Sequence, residues 1–417
     1  MLLKPLIINA LDIKGGAAKA AYRLHRGLTH LGLESRMLVQ SKTGHDKDVI
    51  ALSGRMAKLE GKYRPGLDAR LAGVIAGSTD KDFYPALIPF SRIRNQIESL
   101  SPEIINLHWI NGGMFKIEEL ALLLQPLVWT LHDMWPFTGG CSYTESCRRY
   151  LQTCGNCPKL KRSSDHDLSY RGFVRKKATY SSMSITIVSP SHWLADRARE
   201  SSLLGNYRIE VIPNGLDLQI YTPKDRSDAR RALNLSENIP LILFGAVSAT
   251  SDRRKGYDLL QKALSSLRQS GFETANLLVF GADSSEGDQE LHFPVTYLGQ
   301  VTDENELAKL YSAADVTVVP SRADNLPNVA VESLACGTPV VAFDTGGLRD
   351  IVEHQSNGYL AQAENPEALS EGIYWVLEDP VRRKLLSVQA RKTAETKFSL
   401  ELQAQRYRDL YQSVLRD

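Results

Sequence analysis

The chain has 417 residues, 43% of them hydrophobic and 24% charged, with a formal net charge of +2. That length is the usual allowance for two domains of about 200 residues each, and the near-balanced charge speaks against a dedicated nucleic-acid binder. No apolar run approaches the ~18 residues that span a bilayer, and Met1–Leu11, lacking a signal-peptide apolar region and cleavage site, reads as a first strand, so a cytoplasmic protein is the expectation.

Pro5–Leu11 has the apolar run of a buried strand. Gly15-Gly16-Ala17-Ala18 follows, and then Ala17, Ala21, Leu24, Leu28 and Leu31 at helical spacing as far as Gly32. A strand, a glycine turn and a helix open a Rossmann-type domain, although two adjacent glycines also read as a plain tight turn. The full G-x-G-x-x-G fingerprint is absent, which speaks against NAD. Residues 35–82 carry weak signals and no ordered set of elements. Glu103–Trp109 and Leu127–Leu131 read as buried strands, the second running into His132-Asp133. Open α/β sheets place ligands at such strand ends. His132 therefore either handles a proton or a ligand hydroxyl, or merely caps the sheet edge, and the same pair of readings applies to His108.

A cysteine-rich insert follows at 139–160. Cys141, Cys147, Cys154 and Cys157 are spaced C-x5-C-x6-C-x2-C, and the fifth cysteine, Cys336, lies far away. In a reducing compartment this suits a small structural zinc loop better than disulfides; free thiols and redox pairs are the competing readings. From Cys147 to Lys177 there are nine Lys or Arg and two Asp. Such a run reads as a solvated face, or as a contact with an anionic acceptor or a membrane surface. Ser184–Ser189 and Arg208–Ile212 are further strands, with a helix beginning at Ser191. The Asn-Gly pair of Pro213-Asn214-Gly215 favours a tight turn.

In the second half, Pro240–Ala246 is a strand, and the loop after it carries Arg253, Arg254 and Lys255 before a helix at Tyr257–Leu267. The three cations form either an anion site or an exposed basic loop. Asn276–Gly281 and Val295–Gly299 are strands, and Asp303 with Glu306 marks a capped helix start. Residues 315–350 are the most ordered part of the pattern. Val316–Val319 is a strand, Ser321–Leu326 a polar loop, and Pro327 sits where a helix starts. Gly337 ends that helix, and Pro339–Phe343 is another strand. A helix N-terminus aimed beyond a strand end suits an anion. Asp324 and Glu332, flanking it, would accept hydroxyl protons, so a phosphorylated sugar is the first ligand to consider. Helices over Pro366–Leu377, Val381–Thr396 and Leu400–Leu415 complete the chain.

This central segment resembles the signature of retaining glycosyltransferases of family 4. Asp324 stands where the family usually has a first Glu, Glu332 matches its second, and Cys336-Gly337-Thr338-Pro339-Val340-Val341 fits the following strand. The resemblance implies the GT-B fold, an α/β architecture of two Rossmann-like parallel-sheet domains facing across a cleft. The domains would be 1–212 on the acceptor side and 213–396 for the nucleotide sugar, with 397–417 a helix crossing back. It implies catalytic roles for His132, in its TLHD run, and for Lys255, with Arg254 or Arg253 replacing an arginine missing from Gly245-Ala246. Asp324 would orient the sugar and Glu332 would hold the nucleotide ribose. Gly15, Gly16 and Ala17 would line the cleft, Asn214 the interdomain turn, and Val301 the neighbourhood of the base. Ser321, Asn325, Leu326, Pro327 and Asn328 would form the phosphate-side loop and helix start. The implied reaction moves a glycosyl group from a UDP- or GDP-linked donor to a saccharide or lipid-linked saccharide acceptor, with retention. It belongs to cell-surface polysaccharide or glycoconjugate synthesis and needs no catalytic cofactor. The alternatives are a GT-B sugar-nucleotide epimerase and a non-catalytic nucleotide-sugar-binding protein.

Overall fold

The computed structural model describes residues 3–51, 55–77, 83–88, 93–284 and 293–416. The chain divides into two compact units, Met1–Asn214 with Gln403–Asp417, and Gly215–Leu402.

The first unit carries β1 (Pro5–Leu11), β2 (Arg36–Ser41), β3 (Val49–Ala51), β4 (Ile104–Leu107), β5 (Leu127–Thr130), β6 (Ile185–Ser189) and β7 (Ile209–Val211). These form one parallel sheet in the order β3-β2-β1-β4-β5-β6-β7. Its helices are α1 (Gly16–His30), α2 (Arg55–Ala76), α3 (Ile93–Leu100), α4 (Leu168–Tyr180) and α5 (His192–Glu200). Successive residues of a strand point to opposite faces. Leu6 and Ile8 accordingly join Ile105, Trp129 and Ile187 in one core, while Ile7 joins Ile104, Val128 and Val188 in another. Both faces being covered, the strands read as unbroken apolar runs, and each fully buried aliphatic side chain contributes about 1.5–3 kcal/mol.

The second unit begins with α6 (Arg226–Ala232). Its strands are β8 (Leu241–Gly245), β9 (Asn276–Phe280), β10 (Val295–Tyr297), β11 (Val316–Val319), β12 (Val340–Phe343) and β13 (Gly358–Ala361). They form a parallel sheet in the order β10-β9-β8-β11-β12-β13. The helices between and after them are α7 (Tyr257–Gln269), α8 (Glu304–Ala313), α9 (Asn328–Ala335), α10 (Leu348–Ile351), α11 (Pro366–Leu377) and α12 (Pro380–Lys397). Val316 and Val318 enter one core, and Val319 with Val340 and Ala342 the other. The final helix, α13 (Leu400–Val414), puts Ala404, Tyr407 and Tyr411 into the core of the first unit. There Tyr411 Oη donates to Asn106 Oδ1 (2.6 Å), and Tyr407 Oη lies 2.9 Å from Thr130 Oγ1.

The stretch with weak signals, 35–82, contains β2, β3 and α2. Four consecutive residues of β2, Met37–Gln40, are buried, but a run this short between polar ends carries little periodicity. Helix α2 encloses Pro65, a residue that ordinarily argues against a helix interior.

Candidate functional site

Each sheet reverses its strand order once, at β1/β4 in the first unit and at β8/β11 in the second. Crevices beyond the carboxyl ends of the strands at such a switch point are where open α/β sheets bind ligands. Lys255, Arg254 and Asp324 lie at the second of these places, and Gly15–Ala17 and His108 at the first, with His132 one strand further on.

In the second unit the loop after β8 and the loop after β11 are tied together. Asp252 caps a short 3-10 turn, Arg253–Lys255, accepting from the Arg254 amide (3.0 Å). Gly256 then takes a left-handed φ of 72°, and an added Cβ would stand 1.9 Å from the Pro320 carbonyl, so no side chain fits. The turn aims Lys255 at the loop after β11, where its Nζ donates to Asp324 Oδ2 (2.6 Å). Arg254 reaches the same carboxylate at 3.5 Å, pairs with Asp252 (3.0 Å) and donates to the Ala323 carbonyl (3.2 Å). Burial works to raise the Asp324 pKa, but Lys255 and Arg254 outweigh it and hold the carboxylate below its ordinary range. Asp324 is anchored from behind as well: the Gly347 amide donates to its carbonyl (3.0 Å), and the Asn325 amide to its Oδ1 (3.1 Å).

Helix α9 starts immediately beyond, with Pro327 at its cap position and no side-chain cap. The Ala330 amide donates to the Pro327 carbonyl (3.1 Å), and the positive end of the helix lies in the loop after β11 that carries Asp324 and receives Lys255. Ser321, Asn325 and Leu326 are buried in that loop. Glu332, one turn into α9, is buried and accepts from Tyr311 Oη (2.9 Å). Of the two arginine candidates, Arg254 is the one beside Asp324. The Arg253 side chain is exposed and borders an open groove with Asp258, Tyr257 and Gln261. Val301, in the loop after β10, packs against the core, while its neighbour Gln300 donates to the Gly281 carbonyl (3.1 Å).

In the first unit, Gly15, Gly16 and Ala17 form the start of α1 beyond β1, again without a side-chain cap. Asn214 ends the first of the two chain segments of this unit. His108 follows β4 and His132 follows β5, and their Nδ1 and Nε2 atoms are 2.9 Å apart, with the rings stacked. Burial pushes His132 down to about 4 and His108 well below its ordinary value, so both rings are neutral. The other nitrogen of His108, Nε2, is buried without a partner. One ring of the pair therefore donates to the other. Asp133 beside it accepts from Trp109 Nε1 (3.2 Å) and the Trp135 amide (2.8 Å), and burial raises its pKa to about 6.

The basic run 147–177 is not a uniform solvated face. Lys176 is buried against the Trp135 ring at 3.6 Å and donates to the Thr138 carbonyl (3.0 Å) and to that of Trp135. Arg175 is held by Glu118 (2.7 Å). Cys141, Cys147, Cys154 and Cys157 line one cavity of about 20 Å³. Among the described residues, no three His, Cys, Asp or Glu side chains stand at metal-binding distance as they are. Sequence reading passed over Asp252 and Tyr311 and left His108 undecided. A strand-end position was the signal for His108, and a capping position ahead of the basic turn the signal for Asp252.

The two doubly wound parallel-sheet units match the GT-B fold of solved glycosyltransferases. A sucrose-phosphate synthase from Thermosynechococcus elongatus matches with a TM-score of 0.71 at 20% identity, over 99% of both chains. Anabaena HepE in complex with UDP-glucose matches with a TM-score of 0.63 at 16% identity, over 99% of this chain and 100% of its own. In sequence, residues 225–393 match the family described as glycosyl transferases group 1, and residues 14–220 match glycosyltransferase family 4. A D-inositol 3-phosphate glycosyltransferase of Pseudarthrobacter chlorophenolicus is 30% identical over 335 residues, covering 74% of this chain and 72% of that protein. The chain belongs to the group 1 glycosyl transferases. A protein of the same description from Catenulispora acidiphila is 34% identical over 227 residues, 50% of this chain and 54% of the relative, so the match spans about half its length. Among the described residues no helix is long and apolar enough to cross a membrane.

Proposed function

We propose that this chain transfers a glycosyl group from a UDP- or GDP-linked sugar to a saccharide acceptor, free or lipid-linked, with retention at the anomeric carbon. The observation that carries the reading is the Lys255–Asp324 pair at the switch point of the second unit, beside the start of α9. In the reaction the bond from the anomeric carbon to the diphosphate oxygen breaks, and the acceptor oxygen bonds to that carbon on the same face. The acceptor proton passes to the departing phosphate. Charge develops on the diphosphate, where Lys255, Arg254 and the first amides of α9 would stabilise it. Asp324 fixes the lysine and offers the sugar an acceptor, and Glu332 would take a ribose hydroxyl. The neutral His132 would offer a sugar hydroxyl a hydrogen-bonding group without adding charge. HepE binding UDP-glucose and the relatives named as D-inositol 3-phosphate glycosyltransferases support a nucleotide-sugar donor and a polyol or saccharide acceptor.

The test is a thermal-shift screen of the full chain against UDP- and GDP-sugars, since a ligand that binds the native state raises its stability by mass action. Nuclear magnetic resonance of the product from the stabilising donor then reads the anomeric configuration. A product of inverted configuration removes retention. Donor converted without acceptor to a new nucleotide sugar identifies an epimerase, and donor binding without diphosphate release identifies a binding protein.

A further inference from the structure

We propose that Cys141, Cys147, Cys154 and Cys157 are the ligands of one structural zinc ion, a site separate from the glycosyl-transfer groups. All four thiols border a single cavity whose volume admits a sphere the size of a water molecule, and thus a zinc ion. Their polar surroundings are those of ligands rather than of packing residues. The Gly139 amide donates to Cys154 Sγ (3.2 Å). The Lys159 amide is directed at Cys157 in the same way. Donors aimed at sulfur orient and stabilise metal-bound thiolates, whereas an apolar thiol in a core needs none. Charge agrees. Four thiolates around Zn²⁺ leave a net charge of −2, and the buried Lys176 interacts with Cys154 and Cys141 while Lys159 interacts with Cys141.

The backbone is already fixed around the cavity. Asp167 caps α4 and also accepts from the Cys157 amide (2.8 Å), and the Asn156 amide donates to the Ser164 carbonyl (2.7 Å). Gly155, at φ 141°, packs where a Cβ would stand 2.5 Å from the Asp165 carbonyl. Closure onto an ion therefore falls to rotation of the thiols about their Cα–Cβ bonds, each releasing its proton to solvent as the Zn–S bond forms. The ion would fasten the segment around the cavity to the loop carrying His132. That loop is already joined to it by Met134 N–H donating to the Ser142 carbonyl (2.8 Å) and by the Lys176 bonds to Trp135 and Thr138.

The experiment is elemental analysis of the full chain purified under reducing conditions without chelator, followed by exchange with cobalt(II). One zinc per chain is expected, together with the sulfur-to-cobalt charge-transfer bands and strong visible bands of a tetrahedral thiolate site. Cys154→Ser and Cys157→Ser should each lose the metal or lower its affinity at least ~10-fold, while Cys336→Ala, in the other unit, keeps it. Wild-type protein with no metal and four titratable thiols overturns the proposal, as do two disulfides in the same four cysteines. Bound iron overturns the choice of zinc.

Discussion

The two units share a strand order around their switch points and differ there in electrostatics. In the second, opposite charges meet: Lys255 and Arg254 converge on Asp324, and the cations hold the carboxylate ionised despite its burial. In the first, burial has removed the charge, leaving His108 and His132 as a neutral hydrogen-bonded pair next to Trp109 and Asp133. One topology thus yields a charged cluster and a neutral one, and what decides between them is whether a buried ionisable group is given an opposite charge or only another neutral partner.

The largest expected effect comes from breaking the charged side. Lys255→Ala should lower kcat about 100- to 1000-fold, since it removes a preorganised cation facing the leaving group. It should also cost about 1.5–3 kcal/mol of stability, because a charged hydrogen bond to a buried carboxylate is lost. Lys255 stands in a polar loop, which by sequence alone suggests tolerance; its buried partner is what removes it. Single-turnover rates and a denaturant melt measure the two quantities, and normal turnover in folded Lys255→Ala would dissolve the contrast.

His132→Gln should lower kcat/KM roughly 10- to 100-fold by misplacing a hydrogen-bonding group. It also changes the acid side of the stability curve. In the unfolded chain both histidines titrate near 6.5. Between 6.5 and about 4 the unfolded chain takes up protons that native His132 refuses, and His108 acts in the same direction, so stability present above 6.5 is lost as pH falls. Asp133, raised to about 6, has the opposite sign. Between about 6 and 3.8 the native carboxyl holds a proton that the unfolded one has released, so acidification restores part of the loss. Two histidines against one aspartate leave a net decline, which His132→Gln should reduce. Melting temperature against pH for both proteins is the measurement, and identical profiles would show that His132 is not buried neutral.

A milder probe is salt. The Debye length shrinks from about 8 Å at 0.15 M to about 3 Å at 1 M. The affinity for UDP alone should weaken several-fold over that range, while the KM for an uncharged acceptor should hardly move. The smallest effect belongs to Glu332→Gln. The amide oxygen can still accept from Tyr311, so stability should change by less than about 1 kcal/mol, while donor affinity, read by calorimetry, falls through the ribose contact. Unchanged affinity would remove Glu332 from the donor site.

The parallel sheets were legible because their strands are buried on both faces and read as apolar runs; Val316–Val319 and Val340–Phe343 needed nothing more. The same logic failed for β2, whose buried stretch is too short to separate from a loop, and for α2, where Pro65 argued against the helix that forms. At the site, sequence named Lys255 and Asp324 individually, each by its motif. Their pairing across 69 positions was invisible, because it depends on which two strands flank the switch point. Tyr311 gave no signal, since a tyrosine on the apolar side of a helix looks like core. Lys176 was misread for the opposite reason: a lysine within a basic run looks solvated, and only the folded chain shows it beneath Trp135.

Helix α13 has a consequence for synthesis. Its tyrosines complete the core around Ile7, Val128 and Val188, yet they are translated after the whole of Gly215–Leu402. At 5–20 residues per second, the interval between the two parts of the first unit is roughly 10–40 s. Throughout it, one face of the nascent sheet has no cover from α13, and Asn106 and Thr130 wait for the hydroxyls that will bond them. Of the two units, the one translated earlier is therefore completed later, and holdase chaperones have that interval in which to act on it.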